Sequence, residues 1–237
     1  CSGYATRLYP LTLDKPKSLL EVKNRPLLDY TAEKVACVED VNEILIVTND
    51  KFYMNFVYWY EKNKKNFKKE VKIINDNTST NETRLGGIGD LSLVIEKEKI
   101  NEDILVVLGD NLFDFDLRKI VNAFNNTKKT TMGVVDVKDV NEAKKFGVVE
   151  TKNNKIVSFE EKPVKPLSTL ISTGIYIYSK NDLAKIKEYI KSGKPKDGPG
   201  YLVKEFVSSQ EVYAFTLDGR WFDIGSIETY NKVKEEW

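Results

Sequence analysis

Residues Glu43–Thr48 read EILIVT, a short apolar run in which most side chains are β-branched. Two similar runs follow, EVKII at residues 70–74 and DILVVL at residues 103–108. Continuous apolar runs of this length, bounded by polar residues, predict short strands that are buried on both faces.

Helical patterns lie between these predicted strands. Leu27, Leu28 and Thr31 recur at helical spacing after Pro26, a residue suited to the first turn of a helix. Helices are predicted at residues 26–38, 52–67, 85–97 and 117–124. This alternation predicts an α/β fold with a Rossmann-like, mostly parallel central sheet, helices on both faces, and a ligand crevice at the carboxyl ends of the strands.

The second half of the chain is richer in strands. They are predicted at residues 130–137, 147–151, 155–159, 172–178 and 211–217, with two short helices around the Gly/Pro loop 192–200 and a last helix from Ile227. We expect a mixed or antiparallel extension of the same sheet. With no repeat or long linker, one domain over 1–237 is predicted, with halves 1–128 and 129–237, and a first strand is expected upstream of Cys1.

Charge and cysteine content limit the classes of function. The 37 Lys and Arg residues nearly balance 36 Asp and Glu residues, which argues against a nucleic-acid or membrane-surface protein that binds through bulk positive charge. Two cysteines cannot form a disulfide framework, so a reducing, cytoplasmic compartment is the simplest expectation. Cys37 lies in an apolar helical pattern and is expected to behave as a small hydrophobe.

The chain contains no histidine. This excludes Ser-His and Cys-His nucleophiles and the commonest general base. Any chemistry should therefore use carboxylates, Lys, Arg or a hard metal ion.

A first candidate site lies in SGYATRLYPLT at residues 2–12 and KPKSLL at residues 15–20. Small residues allow backbone N–H groups to approach a phosphate, and Arg7 and Lys17 supply positive charge for its oxygens. The segment is not a Walker loop. A polar surface loop without function is the alternative.

A second candidate is LGDNLF at residues 108–113, directly after the third predicted strand. A carboxylate at Asp110 could hold Mg²⁺, which prefers oxygen ligands, or it could cap a helix. Asp114 and Asp116 spell D-x-D, a pattern that carries a metal in glycosyltransferases. Capping of the helix near Leu117 is the simpler interpretation of both.

Together these motifs resemble the signature of the sugar-phosphate nucleotidylyltransferases, G-x-G-T-R-L-x-P-x-T followed by P-K-x-L, with Ala5 in place of a glycine. The form L-G-D-N-x-F is similar to the glucose-1-phosphate thymidylyltransferases in particular. Further matches are LGGIGDL at residues 85–91, FGVVE at 146–150, EEKP at 160–163, STGIY at 172–176 and GRWFDIGS at 219–226. They follow the family's order over nearly the whole chain.

The resemblance implies a role for each matched residue. It implies nucleotide binding by Gly3, Tyr4, Ala5, Thr6, Arg7, Gly87 and Asp110, and binding of the sugar phosphate by Asn111, Gly147, Glu161, Lys162 and Thr173. It implies that Asp110 and Asp223 hold Mg²⁺, and that Arg7, Lys17, Asp110 and Lys162 are catalytic. The loop at residues 75–84 lacks the Gln-Pro pattern associated with thymine.

The implied reaction joins a nucleoside triphosphate to a sugar 1-phosphate and releases pyrophosphate, with dTTP or UTP and glucose 1-phosphate as the expected substrates. A GT-A type glycosyltransferase that uses Asp114 and Asp116 is one alternative. The others are transfer to another sugar or phosphorylated alcohol, and a regulatory relative without catalysis. The aromatic run at residues 52–60 is expected in the core, although it could also form a subunit contact in a homo-oligomer.

Overall fold

The structure is a computed structural model that describes every residue from Cys1 to Trp237. The strands are β1 (Glu21–Val22), β2 (Arg25–Pro26), β3 (Glu43–Thr48), β4 (Glu70–Asn75), β5 (Ile104–Val107), β6 (Asn111–Phe113), β7 (Thr131–Asp136), β8 (Gly147–Lys152), β9 (Lys155–Glu161), β10 (Leu170–Tyr178), β11 (Tyr213–Thr216) and β12 (Trp221–Asp223). The helices are α1 (Leu27–Ala36), α2 (Tyr53–Asn63), α3 (Gly87–Lys97), α4 (Leu117–Thr127), α5 (Val140–Ala143), α6 (Leu183–Lys191), α7 (Pro199–Ser209) and α8 (Ile227–Glu236). None of these helices has the length and apolar character needed to cross a membrane.

The chain divides into two compact units. The first unit comprises Cys1–Gly86, Leu108–Leu117 and Arg220–Trp237, and the second comprises Gly87–Val107 and Arg118–Gly219. The assignment of 1–237 to one domain stays a prediction.

The first unit contains the parallel pair that strand–helix alternation predicts. β3 and β4 run parallel, with Glu43 opposite Glu70 and Thr48 opposite Asn75. The α1 and α2 helices supply apolar side chains to a cluster with this pair, formed by Leu19, Leu28, Ala32, Ile46, Phe52, Phe56, Trp59 and Val71. Burial of this cluster is the main contribution to the stability of this part of the unit.

A second cluster in the first unit surrounds a short antiparallel pair, β6 with β12. Its members are Leu8, Leu20, Val22, Leu27, Leu112, Ile224, Tyr230 and Val233. The cluster joins the 3₁₀ turn Thr6–Leu8 and α8 to the pair that follows Asp110. The candidate residues Arg7, Asp110 and Asp223 are far apart in the sequence, and each lies next to or near a member of this one apolar cluster.

The second unit is built on a six-stranded mixed sheet, in the order β5-β10-β7-β11-β9-β8. Only β7 and β11 pair in parallel, and β5 lies antiparallel to β10. The mixed, strand-rich second half is therefore confirmed. Apolar periodicity predicts β5 as a strand but carries no information about the direction of its neighbour, which is set by chain connectivity.

The aromatic run at residues 52–60 divides between core and surface. Phe52, Phe56 and Trp59 are buried, whereas Met54 and Tyr58 are 49% and 69% exposed. Core packing is confirmed for the buried face, and a subunit contact stays a prediction.

The expectation for Cys37 was wrong. Its thiol is free and exposed, because α1 ends at Ala36 and the chain leaves the helix at that point. The predicted helix, 26–38, extends two residues beyond the observed end of α1.

Close packing in the second unit requires glycine at two positions. A Cβ on Gly147, in β8, would lie 2.5 Å from Phe159 Cζ, and one on Gly200, in α7, would lie 2.5 Å from the same atom. Real Cβ atoms do not approach a ring carbon this closely, so β8 and α7 can contact the Phe159 ring only without side chains at these positions.

We therefore predict that Gly147→Ala lowers the free energy of unfolding by about 1–3 kcal/mol, the usual cost of overpacking a core. Gly3→Ala is the control, because a Cβ there would meet no atom within 4 Å, and it should change stability by less than about 0.5 kcal/mol. Urea denaturation of both variants checks this. Equal stability of the two variants would contradict the packing argument.

Candidate active site

The loop at residues 2–5 is fixed to the first unit through its backbone. The Asn49 side chain is fully buried after β3; its Nδ2 donates to Ser2 O at 2.8 Å, and its Oδ1 accepts from Phe52 N. Tyr4 Oη donates to Thr78 O at 3.1 Å, beyond the end of β4. The candidate phosphate loop therefore lies at the carboxyl ends of β3 and β4, where an α/β sheet places its ligand.

Ala5 occupies a backbone conformation that favours glycine. Its φ is 48° and its ψ is 44°, in the left-handed region, where an L-residue costs about 1–2 kcal/mol. Thr12 Oγ1 donates to Ala5 O at 2.8 Å and helps to hold this conformation. The family pattern has glycine at this position, and the backbone geometry explains why.

The rest of the loop is open to solvent. A Cβ on Gly3 would meet no atom within 4 Å, and Gly3, Thr6 and Arg7 are all exposed. Exposed backbone and a guanidinium on one loop are suited to binding phosphate oxygens.

Lys17 and Asp110 form an ion pair, with Lys17 Nζ 2.9 Å from Asp110 Oδ2. The two side chains are 19% and 31% exposed. Burial acts to raise the pKa of Asp110, but the charge and hydrogen bond of Lys17 outweigh burial, and the pKa lies below its usual value. Asp110 is therefore ionised at neutral pH.

Asn111 supports the same carboxylate. Its side chain is buried, and Nδ2 donates to Asp110 Oδ1 at 3.1 Å. Sugar binding by Asn111 stays a prediction, whereas its observed contact orients Asp110.

The β6–β12 pair brings the two carboxylates predicted as metal ligands to neighbouring backbone positions. Asp223 lies opposite Asn111, and Ile224 N donates to Asp110 O at 3.0 Å. The Arg7 side chain also lies near Asp223. A Cβ added to Gly225 would lie 3.1 Å from Asp223 Oδ2 and 3.8 Å from Arg7 Nη2, so both groups border Gly225. The Lys17–Asp110 pair thus adjoins, through the backbone, a segment where Asp223 and Arg7 both lie near Gly225.

These residues fit a magnesium ion that is shared with phosphate. No group of three or more Asp, Glu, Cys or His side chains forms a complete protein cage for a metal. Mg²⁺ does not need one, because it is usually held by one or two carboxylates together with water and substrate phosphates. An ionised Asp110, with Asp223 on the strand that pairs with β6, meets that requirement.

Capping of α4 by Asp114 was wrong. Both carboxylate oxygens of Asp114 bind Arg220: Oδ1 accepts from Arg220 N at 2.7 Å, and Oδ2 accepts from Nε at 2.8 Å. Burial acts to raise the pKa of Asp114, but the hydrogen bonds and charge of Arg220 lower it below its usual value. Sequence spacing could not reveal a partner that lies 106 positions away.

In the second unit, Glu161 lies beside two glycines. A Cβ added to Gly147 would lie 3.1 Å from Glu161 Oε2, and a Cβ added to Gly200 would lie 2.9 Å from the same oxygen. Burial raises the pKa of Glu161, although the charge of Lys162 acts in the opposite direction. Gly200 was not predicted as a site residue, and its only signal in the sequence is its place in the Gly/Pro loop 192–200.

The other predicted residues of the second unit differ in exposure. Lys162 is exposed, forms no ion pair, and has a φ of 48°, with its backbone N–H donating to Phe146 O. Thr173 is fully buried, and its hydroxyl donates to Gly133 O at 2.8 Å. Gly87 N donates to Asp197 O, and a Cβ on Gly87 would lie 3.1 Å from that oxygen. Substrate binding by all three stays a prediction; for Thr173 and Gly87 the observed partners are the chain itself.

Comparison with known proteins agrees with this α/β fold. A family model described as nucleotidyl transferase matches residues 1–237. The chain belongs to the nucleotidyl transferase family, which confirms the resemblance seen in its motifs.

Two curated relatives carry more specific names. The chain is 33% identical over 237 residues to a Sulfolobus acidocaldarius protein assigned as a mannose-1-phosphate guanyltransferase, an alignment covering 99% of this chain and 60% of that protein. It is 34% identical over 227 residues to mannose-1-phosphate guanylyltransferase catalytic subunit beta of Drosophila melanogaster, covering 94% of this chain and 57% of the relative. The chain thus spans about three fifths of the length of these relatives.

A solved structure agrees over a larger share of its own length. It is from a Bacillus anthracis protein assigned as a glucose-1-phosphate thymidylyltransferase, with a TM-score of 0.79 and 28% identity. The match covers 99% of this chain and 91% of that one.

The Lys17–Asp110 pair leads to a prediction about pH. In Lys17→Met, Asp110 stays buried but loses the positive charge that compensates it. The pKa of Asp110 should therefore lie above its usual value instead of below it. In the wild type, the pair stabilises the fold fully at pH values above the usual pKa of an aspartate. This stabilisation is lost as the pH falls through the lowered pKa that Asp110 has in the folded protein. The stability difference between wild type and variant should therefore shrink in acid.

An NMR titration of the Asp110 carboxyl carbon measures the pKa, and urea denaturation across pH measures the stability difference. Lys15→Met is the control, because Lys15 pairs with Glu21 at the surface, and it should leave the Asp110 titration unchanged. An unchanged Asp110 pKa in Lys17→Met would refute the electrostatic account.

Proposed function

We propose that this chain transfers a nucleotidyl group from a nucleoside triphosphate to a sugar 1-phosphate, giving a nucleoside diphosphate sugar and pyrophosphate. The observation that carries the proposal is the Lys17–Asp110 pair, with Asp223 on the adjoining strand and Arg7 beside it. Membership of the nucleotidyl transferase family supports it.

The absence of histidine is consistent with this reaction. A phosphate monoester has a second pKa of about 6, so its oxygen is already an anion at neutral pH and needs no general base. That oxygen attacks the α-phosphorus, and the bond from the α-phosphorus to the departing pyrophosphate breaks. Catalysis then consists of positioning the reactants and neutralising their charge.

The residues of this chain divide that task. Arg7 binds the departing pyrophosphate, Lys17 binds the triphosphate, and the exposed, unpaired ammonium of Lys162 binds the sugar phosphate. Asp110 and Asp223 would hold Mg²⁺. When bound, this ion supplies positive charge to phosphate oxygens.

The choice of substrates is a finer proposal. The L-G-D-N-x-F motif predicts dTTP or UTP with glucose 1-phosphate, and the Bacillus anthracis structure is assigned as a thymidylyltransferase. The two curated relatives are named for mannose 1-phosphate and a guanyl group, and residues 81–83 (NET) lack the Gln-Pro pattern. GTP with mannose 1-phosphate is therefore the first pair that we propose to test.

A matrix of nucleoside triphosphates against sugar 1-phosphates tests the reaction and its substrates. We expect pyrophosphate to form with one preferred pair and only when Mg²⁺ is added. Release of a nucleoside diphosphate from a nucleotide sugar would instead support the glycosyltransferase alternative. That alternative is disfavoured because Arg220 engages both oxygens of Asp114, the first carboxylate of D-x-D.

The proposed roles predict that Asp110→Ala and Lys162→Ala each lower turnover by about 100-fold or more, the usual effect of removing one electrostatic contact from a transition state. Circular dichroism should show that the fold is retained. Lys165→Ala is the control, because this lysine is also exposed and lies three positions away. Near wild-type pyrophosphate release by Asp110→Ala or Lys162→Ala would show that the assigned roles are wrong.

A further inference from the structure

The β6–β12 pair is too short to fix its own register. Each strand has three residues, and such two-stranded pairs have little stability by themselves. A slip of one residue would turn every side chain of a strand to the opposite face. Asp223 belongs to this pair, so its orientation relative to Asp110 depends on whatever holds the register.

The two ends of the pair are held differently. At one end, Ile224 N donates to Asp110 O at 3.0 Å. At the other end, Asp114 N donates to Arg220 O at 3.2 Å, and the Asp114 carboxylate accepts from Arg220 N and Nε. The contact between Asp114 and Arg220 thus includes backbone groups of both residues.

The backbone groups distinguish this contact from an ordinary surface ion pair. The side chains of Arg220 and Asp114 are 50% and 34% exposed, and the charge attraction between such groups contributes little to stability. A carboxylate that binds a backbone N–H and a guanidinium together has only one geometry that satisfies both bonds. It therefore fixes the position of the β12 backbone.

The remaining part of the Arg220 guanidinium binds the end of α8. Nη1 donates to Glu236 O at 3.1 Å and to Trp237 O at 3.2 Å, and Cζ lies 4.6 Å from the centre of the Trp237 ring. The Trp237 ring also makes an edge contact with Phe222 in the middle of β12. Arg220 is therefore restrained from a second side.

We propose that Asp114 and Arg220 form a clamp that sets the register of the β6–β12 pair and thereby holds the Asp223 carboxylate beside Asp110. Arg220 is then a positioning residue. The inference rests on the proposed function in one respect, the role of Asp110 and Asp223 as ligands of a divalent cation.

The test uses Arg220→Met, which keeps the length of the side chain and removes its donors. Asp114→Asn is a second variant, which keeps nearly the same side-chain shape and removes the charge of the acceptor. Arg25→Met is the matched control: Arg25 also forms an ion pair, with Glu33, and also lies 4.6 Å from the centre of an aromatic ring, that of Tyr30. Arg25 lies in the same unit but outside the β6–β12 pair.

The first measurement is hydrogen exchange of the Ile224 amide, followed by NMR on the protein without substrates. The Ile224 N–H is the donor at the far end of the pair, so it reports on the register. We expect its exchange to become roughly 10-fold faster in Arg220→Met and Asp114→Asn, because local opening becomes easier, and to stay unchanged in Arg25→Met. Unchanged exchange in both clamp variants would overturn the clamp.

The second measurement is Mn²⁺ binding in the absence of substrates, followed by electron paramagnetic resonance. We expect the affinity to fall by roughly 10-fold in Arg220→Met, the usual effect of disturbing the support of a metal ligand, and to stay unchanged in Arg25→Met. Asp110→Ala reports on the ligand assignment itself. If Asp110→Ala binds Mn²⁺ as the wild type does, the metal role in the proposed function is wrong, and the exchange measurement still decides the clamp.

If Asp110→Ala loses Mn²⁺ while Arg220→Met retains full affinity, the ligand assignment stands and the link from the clamp to Asp223 is wrong. Arg220→Lys adds a rescue test. A lysine keeps the charge and one donor for Asp114 Oδ2, so its Ile224 exchange should lie between those of the wild type and Arg220→Met. Exchange as fast as in Arg220→Met would contradict a role for the hydrogen bond to Asp114.

Discussion

The contact between Lys17 and Asp110 is the interaction on which the candidate site depends. Each charge is partly removed from water, and each compensates the other at 2.9 Å. Loss of one partner would leave a half-buried charge without compensation, which costs more than the intact pair contributes. The proposed reaction poses the same electrostatic problem, because two phosphate anions cannot meet unless positive charge surrounds them.

Hydrogen bonds from three buried polar side chains hold the candidate site in place. Asn49 binds the backbone of Ser2, Thr12 binds the carbonyl of Ala5, and Asn111 binds a carboxylate oxygen of Asp110. Asn49, Thr12 and Asn111 are buried, where a hydrogen bond is shielded from competing water. The exposed Arg7 can thus project from a backbone that is already fixed.

Most strands and helices were predictable from apolar spacing, because burial imposes a period of two or 3.6 residues on the chain. The strands at Glu43–Thr48 and Glu70–Asn75 and the helix from Ile227 are examples. Three-residue β12 was not predictable, since three residues are too few to show a period. The antiparallel direction of β5 was not predictable either, because periodicity is the same for both directions.

Short motifs along the chain were enough to indicate the family, and the resemblance marked Lys17, Asp110 and Asp223 as candidate site residues. Contacts between distant residues had to come from folding. Asp114 was expected to cap a helix but binds Arg220 instead. The Phe159 ring leaves no room for a Cβ at positions 147 and 200, so both positions require glycine. A residue's partners depend on how chain segments pack in three dimensions, and spacing along one dimension does not contain that information.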